Sequence, residues 1–366
     1  MASPTIRIPP STATVSVTAF DISEEPSAIC IPAPAFYTPV LPGHEILHLP
    51  IFAFLIEHTA TGRRVMFDLG PRKDLENAAP AVVEMFKTLP DVAIPIERDV
   101  VEQLQDHGVD LNSINAVIWS HAHYDHTGDV SKFPPSTDLV YGAATVTDTH
   151  TVNSASVLLD SDFAGRKSVP INFDETSLEI GGFKAHDFFG DGSLYILDVP
   201  GHLKGHICAL ARVTPDSFVF MGGDACHHAG MLRPTSILHQ RAPCPADILE
   251  ATRHSVSAAH FTPLDAEGKF DLAARTAPML DFVPGMMYED PVATAASIAL
   301  IGAFDASSDV LVVLAHDWSL VPAVGPFPTS LDAWKAKGSK ELVTWAFLEE
   351  SNPAFVFSPK TVRPIS

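Results

Sequence analysis

Cysteine is scarce: Cys30, Cys208, Cys226 and Cys244 are the only four in 366 residues, and no two form a CxxC pair. Four scattered thiols exclude a disulfide scaffold and point to a reducing, cytoplasmic compartment. Basic residues are also few, with 23 Lys and Arg against 44 Asp and Glu, giving a formal charge of -21. Such a surface repels phosphate backbones and anionic lipid, so nucleic acid is not an expected partner. No apolar run approaches the roughly 20 residues needed to span a membrane. The segment Met1 to Val17 lacks a basic start followed by an apolar core, so it does not read as a secretory signal. Neither an internal repeat nor a low-complexity tract is visible.

What is present is apolar and patterned. A hydrophobic content of 46% supplies a substantial core, for one large domain or two modest ones. Ile51 to His58 and Arg64 to Leu69 read as two strands joined by the turn-forming Thr-Ala-Thr-Gly. Asp99 to His107 has helical spacing closed by Gly108, and Ile114 to Trp119 is a strand entering a cluster of histidines. Leu194 to Val199 precedes Pro200-Gly201-His202, and Phe218 to Met221 precedes Gly222-Gly223-Asp224. Val310 to Leu314, after a helical stretch from Pro291 to Phe304, delivers Ala315-His316-Asp317. Strands that repeatedly end in His or Asp predict one sheet edge that collects a shared site. A last helix is expected near Leu331 to Glu349.

The cluster is His121-Ala122-His123-Tyr124-Asp125-His126. Imidazole and carboxylate are the donors that borderline divalent ions accept, and a catalytic site needs several of them plus an open position. Four candidate ligands within six residues, on a loop leaving an apolar strand, are poorly explained as a solvated turn.

The pattern resembles the metallo-β-lactamase superfamily, whose hallmark is His-x-His-x-Asp-His after a strand. The resemblance extends through Asp68 in Phe67-Asp68-Leu69-Gly70, the Pro200 to His206 loop, Gly223-Asp224 and His316. It is closest to the dinuclear N-acyl homoserine lactonases, on His316-Asp317 and the helix beginning at Asp290-Pro291. The resemblance implies an α+β fold, the four-layer αβ/βα sandwich. Residues 1–45 would form an N-terminal arm, 46–325 the metallo-β-lactamase domain with an insertion near 228–290, and 326–366 a C-terminal helical extension. It also implies two divalent metal ions, zinc before Mn2+ or Fe2+. His121, His123 and His202 would hold one, Asp125, His126 and His316 the other, and Asp224 would bridge them. The implied activity is that of a dinuclear hydrolase in which a bridging hydroxide opens a lactone or similar cyclic ester. Lactamase or thioesterase action, or a non-catalytic binding protein of the same fold, are the alternatives.

Two residues are assigned to catalysis: Asp125, orienting the water, and His227, where the lactonases carry a tyrosine and an imidazole could donate to the oxyanion or leaving group. Asp68 and His206 are expected to steady the ligands from behind. Cys226 reads as a small buried residue, and His44, His48, His239, His254 and His260 as ordinary histidines. Met279 to Met287, with Phe36 and Tyr37, is a candidate wall for a small substrate with an apolar or aromatic body. The oligomeric state is not legible.

Overall fold

The computed structural model describes residues 6–23, 29–41, 45–88, 96–285, 287–325 and 327–348. Two six-stranded sheets lie face to face. The first runs, in spatial order, Val15–Asp21, Phe52–His58, Arg64–Phe67, Ile114–Ile118, Asp138–Gly142 and Ser168–Ile171. The second runs Glu179–Ile180, Phe183–Asp187, Leu194–Asp198, Ile207–Thr214, Ser217–Met221 and Val310–Val313. This is the sandwich the sequence predicted.

Period-two alternation explains the layers. In Arg64–Phe67, Val65 and Phe67 enter the core between the sheets together with Ile196, Ala209 and Val219. Their neighbour Met66 joins the core on the outer face, as do Leu210 and Phe220. Both faces are therefore buried, and the strands read as nearly unbroken apolar runs.

Helices cover the outer faces. Val100–Asp106 starts at a capping box, in which Asp99 and Glu102 each accept from the other's backbone N–H. Pro291–Asp305 starts at Asp290, whose carboxylate accepts from Val292 and Ala293, and it lays Phe304 on Phe220 with ring centroids 5.0 Å apart.

Three features depart from the sequence reading. Val15–Asp21 pairs along its whole length with Phe52–His58, so part of the N-terminal arm is an edge strand of the first sheet. The helix expected over Leu331 to Glu349 is reduced to Ser339–Thr344 and the short turn Ala346–Leu348. Gly338, with φ 66°, precedes it, and Glu349 lies outside the described residues. In the stretch Met279 to Met287, Met279 and Leu280 are core, while Met286 lies outside the described residues. Among the described residues, no helix is long and apolar enough to cross a membrane.

Strand direction decides where the polar residues go. Arg64–Phe67 and Ile114–Ile118 are parallel, and both end at the same sheet edge. In the second sheet, Leu194–Asp198 and Ser217–Met221 are each antiparallel to the strand between them, and Ser217–Met221 is parallel to Val310–Val313. Ile207 N–H donates to Ser120 O, and Phe52 N–H to Ala315 O, joining the two sheets at that edge.

Candidate metal centre

Asp68 leaves the end of its strand at φ 58°, the one non-glycine residue in the left-handed region among those described. Its buried carboxylate accepts from Ser120 N–H and Ser120 Oγ, both at 2.7 Å, and from His126 Nδ1 at 2.9 Å. A strained backbone and three hydrogen bonds thus fix the start of the histidine loop. The loop then makes one helical turn, Tyr124–Thr127, in which the N–H groups of His126 and Thr127 return to His123 O. His121, His123, Asp125 and His126 consequently fan inward from one compact bend.

The groups behind the histidines set their tautomers. His202 Nδ1 donates to Met287 O at 2.6 Å, and His316 Nδ1 to Pro50 O at 2.8 Å. His126 Nδ1 donates to Asp68. Ser120 Oγ has given its proton to Asp68, so it accepts from His121 Nδ1 at 3.0 Å. In all four rings the proton is held at the back, leaving Nε2 unprotonated toward the centre, the arrangement a metal ligand needs.

Donor atoms of His121, His123, His202 and Asp224 lie within 4.8 Å of one another, and so do those of Asp125, His126 and His316. His202 Nε2 is 3.1 Å from both His121 Nε2 and His123 Nδ1. Ligands about 2 Å from a tetrahedral ion stand about 3.3 Å apart, so this spacing fits one. Asp224 divides its oxygens: Oδ2 lies 3.6 Å from His121 Nε2 and 3.5 Å from His202 Nε2, whereas Oδ1 lies 3.2 Å from His126 Nε2 and 3.1 Å from His316 Nε2. Asp125 Oδ2 faces His126 Nε2 and His316 Nε2 at 3.7 and 3.6 Å. Asp224 Oδ1 and His126 Nε2 are buried without a hydrogen bond. Orphaned buried atoms in a ring of unprotonated nitrogens are costly alone and satisfied by divalent cations.

Electrostatics follows the same division. Burial, then the neighbouring histidines, pushes His121 and His202 well below the usual imidazole range. Burial also lowers His126, but Asp224, Asp125 and Asp68 outweigh it and raise this ring well above that range, so that without a cation at Nε2 these carboxylates would draw a second proton there. Asp224 is raised by burial and lowered further by His126, His316 and His227, and it ends well below the usual carboxylate range.

Glycine backbones permit the approach. At Gly201, φ is 137° and an added Cβ would meet Thr294 N and Cα at 2.6 Å, so the His202 loop sits directly on the helix Pro291–Asp305. His206 is behind the centre: Nδ1 donates to Val199 O at 2.9 Å, and Nε2 accepts from Asp224 N–H at 3.1 Å. Cys226 is buried, its thiol pushed up by burial, and it belongs to neither donor group.

All seven residues expected to hold metal converge here, and His227 with them. His227 is buried, and its Nε2 lies 3.1 Å from Asp224 Oδ2 without a hydrogen bond. Its ring is parallel to that of His316 and takes the edge of Phe36 at 4.6 Å. His228 instead accepts from Gly230 N–H through Nδ1 and points away, toward Tyr37 and Phe347. Of the ordinary histidines, His48 contacts Cys30 at 3.3 Å, and His239, His254 and His260 bond Arg275 O, Glu250 and Ser257. His44 lies outside the described residues.

Sequence reasoning missed Tyr288. Its hydroxyl is 2.7 Å from His227 Nδ1, and it is fully buried. The segment carrying it also supplies Met287 O to His202, while Glu289 N–H and Asp290 N–H donate to the backbone of His202 and Gly201. No local signal marks Tyr288, which is separated from His227 by 61 positions.

Residues 48–222 match the family model described as Lactamase_B, the metallo-beta-lactamase superfamily. The chain is 39% identical over 358 residues to the cytochrome P450 monooxygenase mpaDE' of Penicillium brevicompactum, covering 95% of this chain but 38% of that protein. The chain therefore spans less than half the length of that relative. It is 36% identical over 373 residues to the gamma-lactamase FDB1 of Fusarium pseudograminearum, covering 96% of this chain and 86% of that one. Among solved structures, an N-acyl homoserine lactone hydrolase with N-hexanoyl-L-homoserine bound at its catalytic metal center superposes with a TM-score of 0.55 at 14% identity, over 87% of this chain and 99% of that one. At that identity the likeness concerns the fold.

Proposed function

This chain belongs to the metallo-β-lactamase superfamily, and from that premise we propose that it is a metal-dependent hydrolase that opens a lactone or similar cyclic ester. The observation that carries this reading is the division of Asp224, whose two oxygens face two separate donor groups across 3.1 to 3.6 Å. His121, His123 and His202 would hold one divalent ion, Asp125, His126 and His316 a second, with Asp224 shared. Zinc suits this donor set, as do Mn2+ and Fe2+. When bound, such ions supply Lewis acidity to a carbonyl and acidify water near neutral pH.

The chain's own side chains do the rest. Asp125 orients the attacking water and takes its proton. His227 offers Nε2 to the developing oxyanion or to the departing oxygen, at the edge of the centre nearest Phe36. His123 is the least buried of the metal-ligand candidates and marks the approach, where Tyr124 meets Phe86 edge-on at 5.4 Å. Those rings suit a small substrate with an apolar or aromatic body. With this donor set no Ser or Cys nucleophile is needed.

A second reading, hydrolysis of a cyclic amide or carbamate, is favoured by the likeness to gamma-lactamase FDB1 along nearly the whole chain. Both readings use the same centre. The test is metal analysis of the purified protein, then a panel of lactones, lactams and thioesters before and after chelation. About two metal ions per chain and ring opening abolished by chelator are expected; protein without stoichiometric metal, or activity that survives chelation, would overturn the proposal.

A further inference from the structure

Four histidines of the centre have pure acceptors, or a serine oxygen already committed to Asp68, behind Nδ1: Met287 O, Pro50 O, Asp68 and Ser120 Oγ. Behind His227 Nδ1 stands the hydroxyl of Tyr288 at 2.7 Å, a group that can donate as well as accept. This difference matters because His227 belongs to neither donor group, although its Nε2 is buried, unpartnered and 3.1 Å from Asp224 Oδ2. A bare nitrogen lone pair facing a carboxylate oxygen at that distance is repelled, whereas an N–H is attracted. A neutral ring with its proton on Nε2 must accept at Nδ1. Tyr288 is the group in place to donate there. The hydroxyl oxygen also takes a hydrogen bond from the His227 backbone N–H, which leaves its own proton to donate, and the competing acceptor, Met231 Sδ at 3.6 Å, is a thioether far weaker than imidazole nitrogen.

We propose that Tyr288 is a positioning residue: its O–H donates to His227 Nδ1 and so holds the opposite tautomer from the metal-facing histidines, with Nε2–H presented to the substrate. The proposal rests on the hydrolase reading for the use of that proton, but the tautomer itself is independent of it. Tyr288 lies in the segment whose Met287 carbonyl also orients His202, so one stretch of backbone fixes a ligand and a donor together. The two rings need opposite partners, and adjacent residues supply them.

The test is long-range proton–nitrogen correlation NMR on the zinc-loaded protein labelled with 15N-histidine, the His227 signals being assigned by their loss in a His227→Asn variant. Wild type is expected to show Nε2 protonated and Nδ1 bare. Tyr288→Phe keeps the ring in its packing and removes the donor. It should leave His227 without one fixed tautomer and lower kcat about tenfold, with KM changed less than twofold. A wild-type ring protonated on Nδ1, or a Tyr288→Phe ring still locked on Nε2 with kcat intact, would overturn the proposal. If the tautomer is as expected but no ester or amide in the panel is opened, the hydrolase reading fails and the Tyr288 assignment stands.

Discussion

Asp68 and His126 are joined by a hydrogen bond of 2.9 Å between two fully buried side chains, and the same carboxylate also holds Ser120 by its N–H and its hydroxyl. It is therefore the common anchor of a ring from each donor group, His126 directly and His121 through Ser120. Replacing Asp68 with Asn keeps the shape but removes the charge and gives the loop an amide that must donate somewhere. Metal affinity is expected to fall about 10- to 100-fold, the usual cost of losing a carboxylate behind a ligand histidine. Competition with a chromogenic chelator measures it, and unchanged metal retention in Asp68→Asn would remove Asp68 from the role.

Gly201→Ala tests the seat of His202. The new methyl would collide with the backbone of Thr294 at 2.6 Å, and backbone cannot swing away as a flexible side chain can. The φ of 137° is itself a region that L-residues avoid. A loss of about 2–4 kcal/mol in unfolding free energy is expected, together with weaker metal binding. Urea denaturation of the zinc-loaded protein would reveal it. A variant as stable as wild type would mean that the His202 loop is not pinned to the helix.

Legibility in the sequence followed range. His121 to His126 could be read because the chemistry lies within six residues, and His202, Asp224 and His316 because each follows a strand visible as an apolar run. Three strands of each sheet were legible for the same reason, whereas the other six, Val15–Asp21 and Ile207–Thr214 among them, lead into no such motif and were not read. Tyr288 was not, since its role exists only once a segment between two strands of the second sheet folds back onto His227. The resemblance looked for a tyrosine in the place of His227; the hydroxyl arrives instead from behind that ring. The shortened C-terminal helix has a local cause that was overlooked, Gly338 at a left-handed position inside the apolar pattern. Asp68 stood out in the sequence, but its positive φ did not, since it occurs where Asp68 N–H reaches Ile118 O and Leu69 N–H reaches His126 O, partners about fifty residues away.

The pH dependence of stability has a defined contributor in Asp162. Burial raises its carboxyl from the ordinary value near 3.8 to about 6, despite the hydrogen bond from Leu159 N–H and the charges of Arg72 and Arg166. Between these two values the folded state binds more protons than the unfolded one, so this group lowers stability as pH rises from about 4 to 6 and holds the deficit above 6. Asp162→Asn does not titrate. Its stability relative to wild type should therefore increase by up to about 3 kcal/mol between pH 4 and pH 7. Denaturation midpoints of both proteins across that range supply the measurement, and a constant difference would show that Asp162 is not raised.

Metal removal should be felt by the fold as well as by the reaction. Asp224, His126, His202 and His316 are buried on loops leaving three separate strands and the histidine cluster, and without cations their facing donors are held together uncompensated. A ligand at a thousand times its Kd adds about 4 kcal/mol to stability, and each kcal/mol is worth about 2–4 °C in a domain of 150–250 residues. Chelation is thus expected to lower the Tm by roughly 8 °C or more, and restored zinc to recover it. Asp224→Asn should blunt the response, because an amide cannot offer two anionic oxygens to two ions at once. Calorimetry of both proteins with and without chelator decides the point: equal Tm values for wild type in the two states would mean that the clustered histidines are stable without metal, and the reading of Asp224 as the shared ligand would fall.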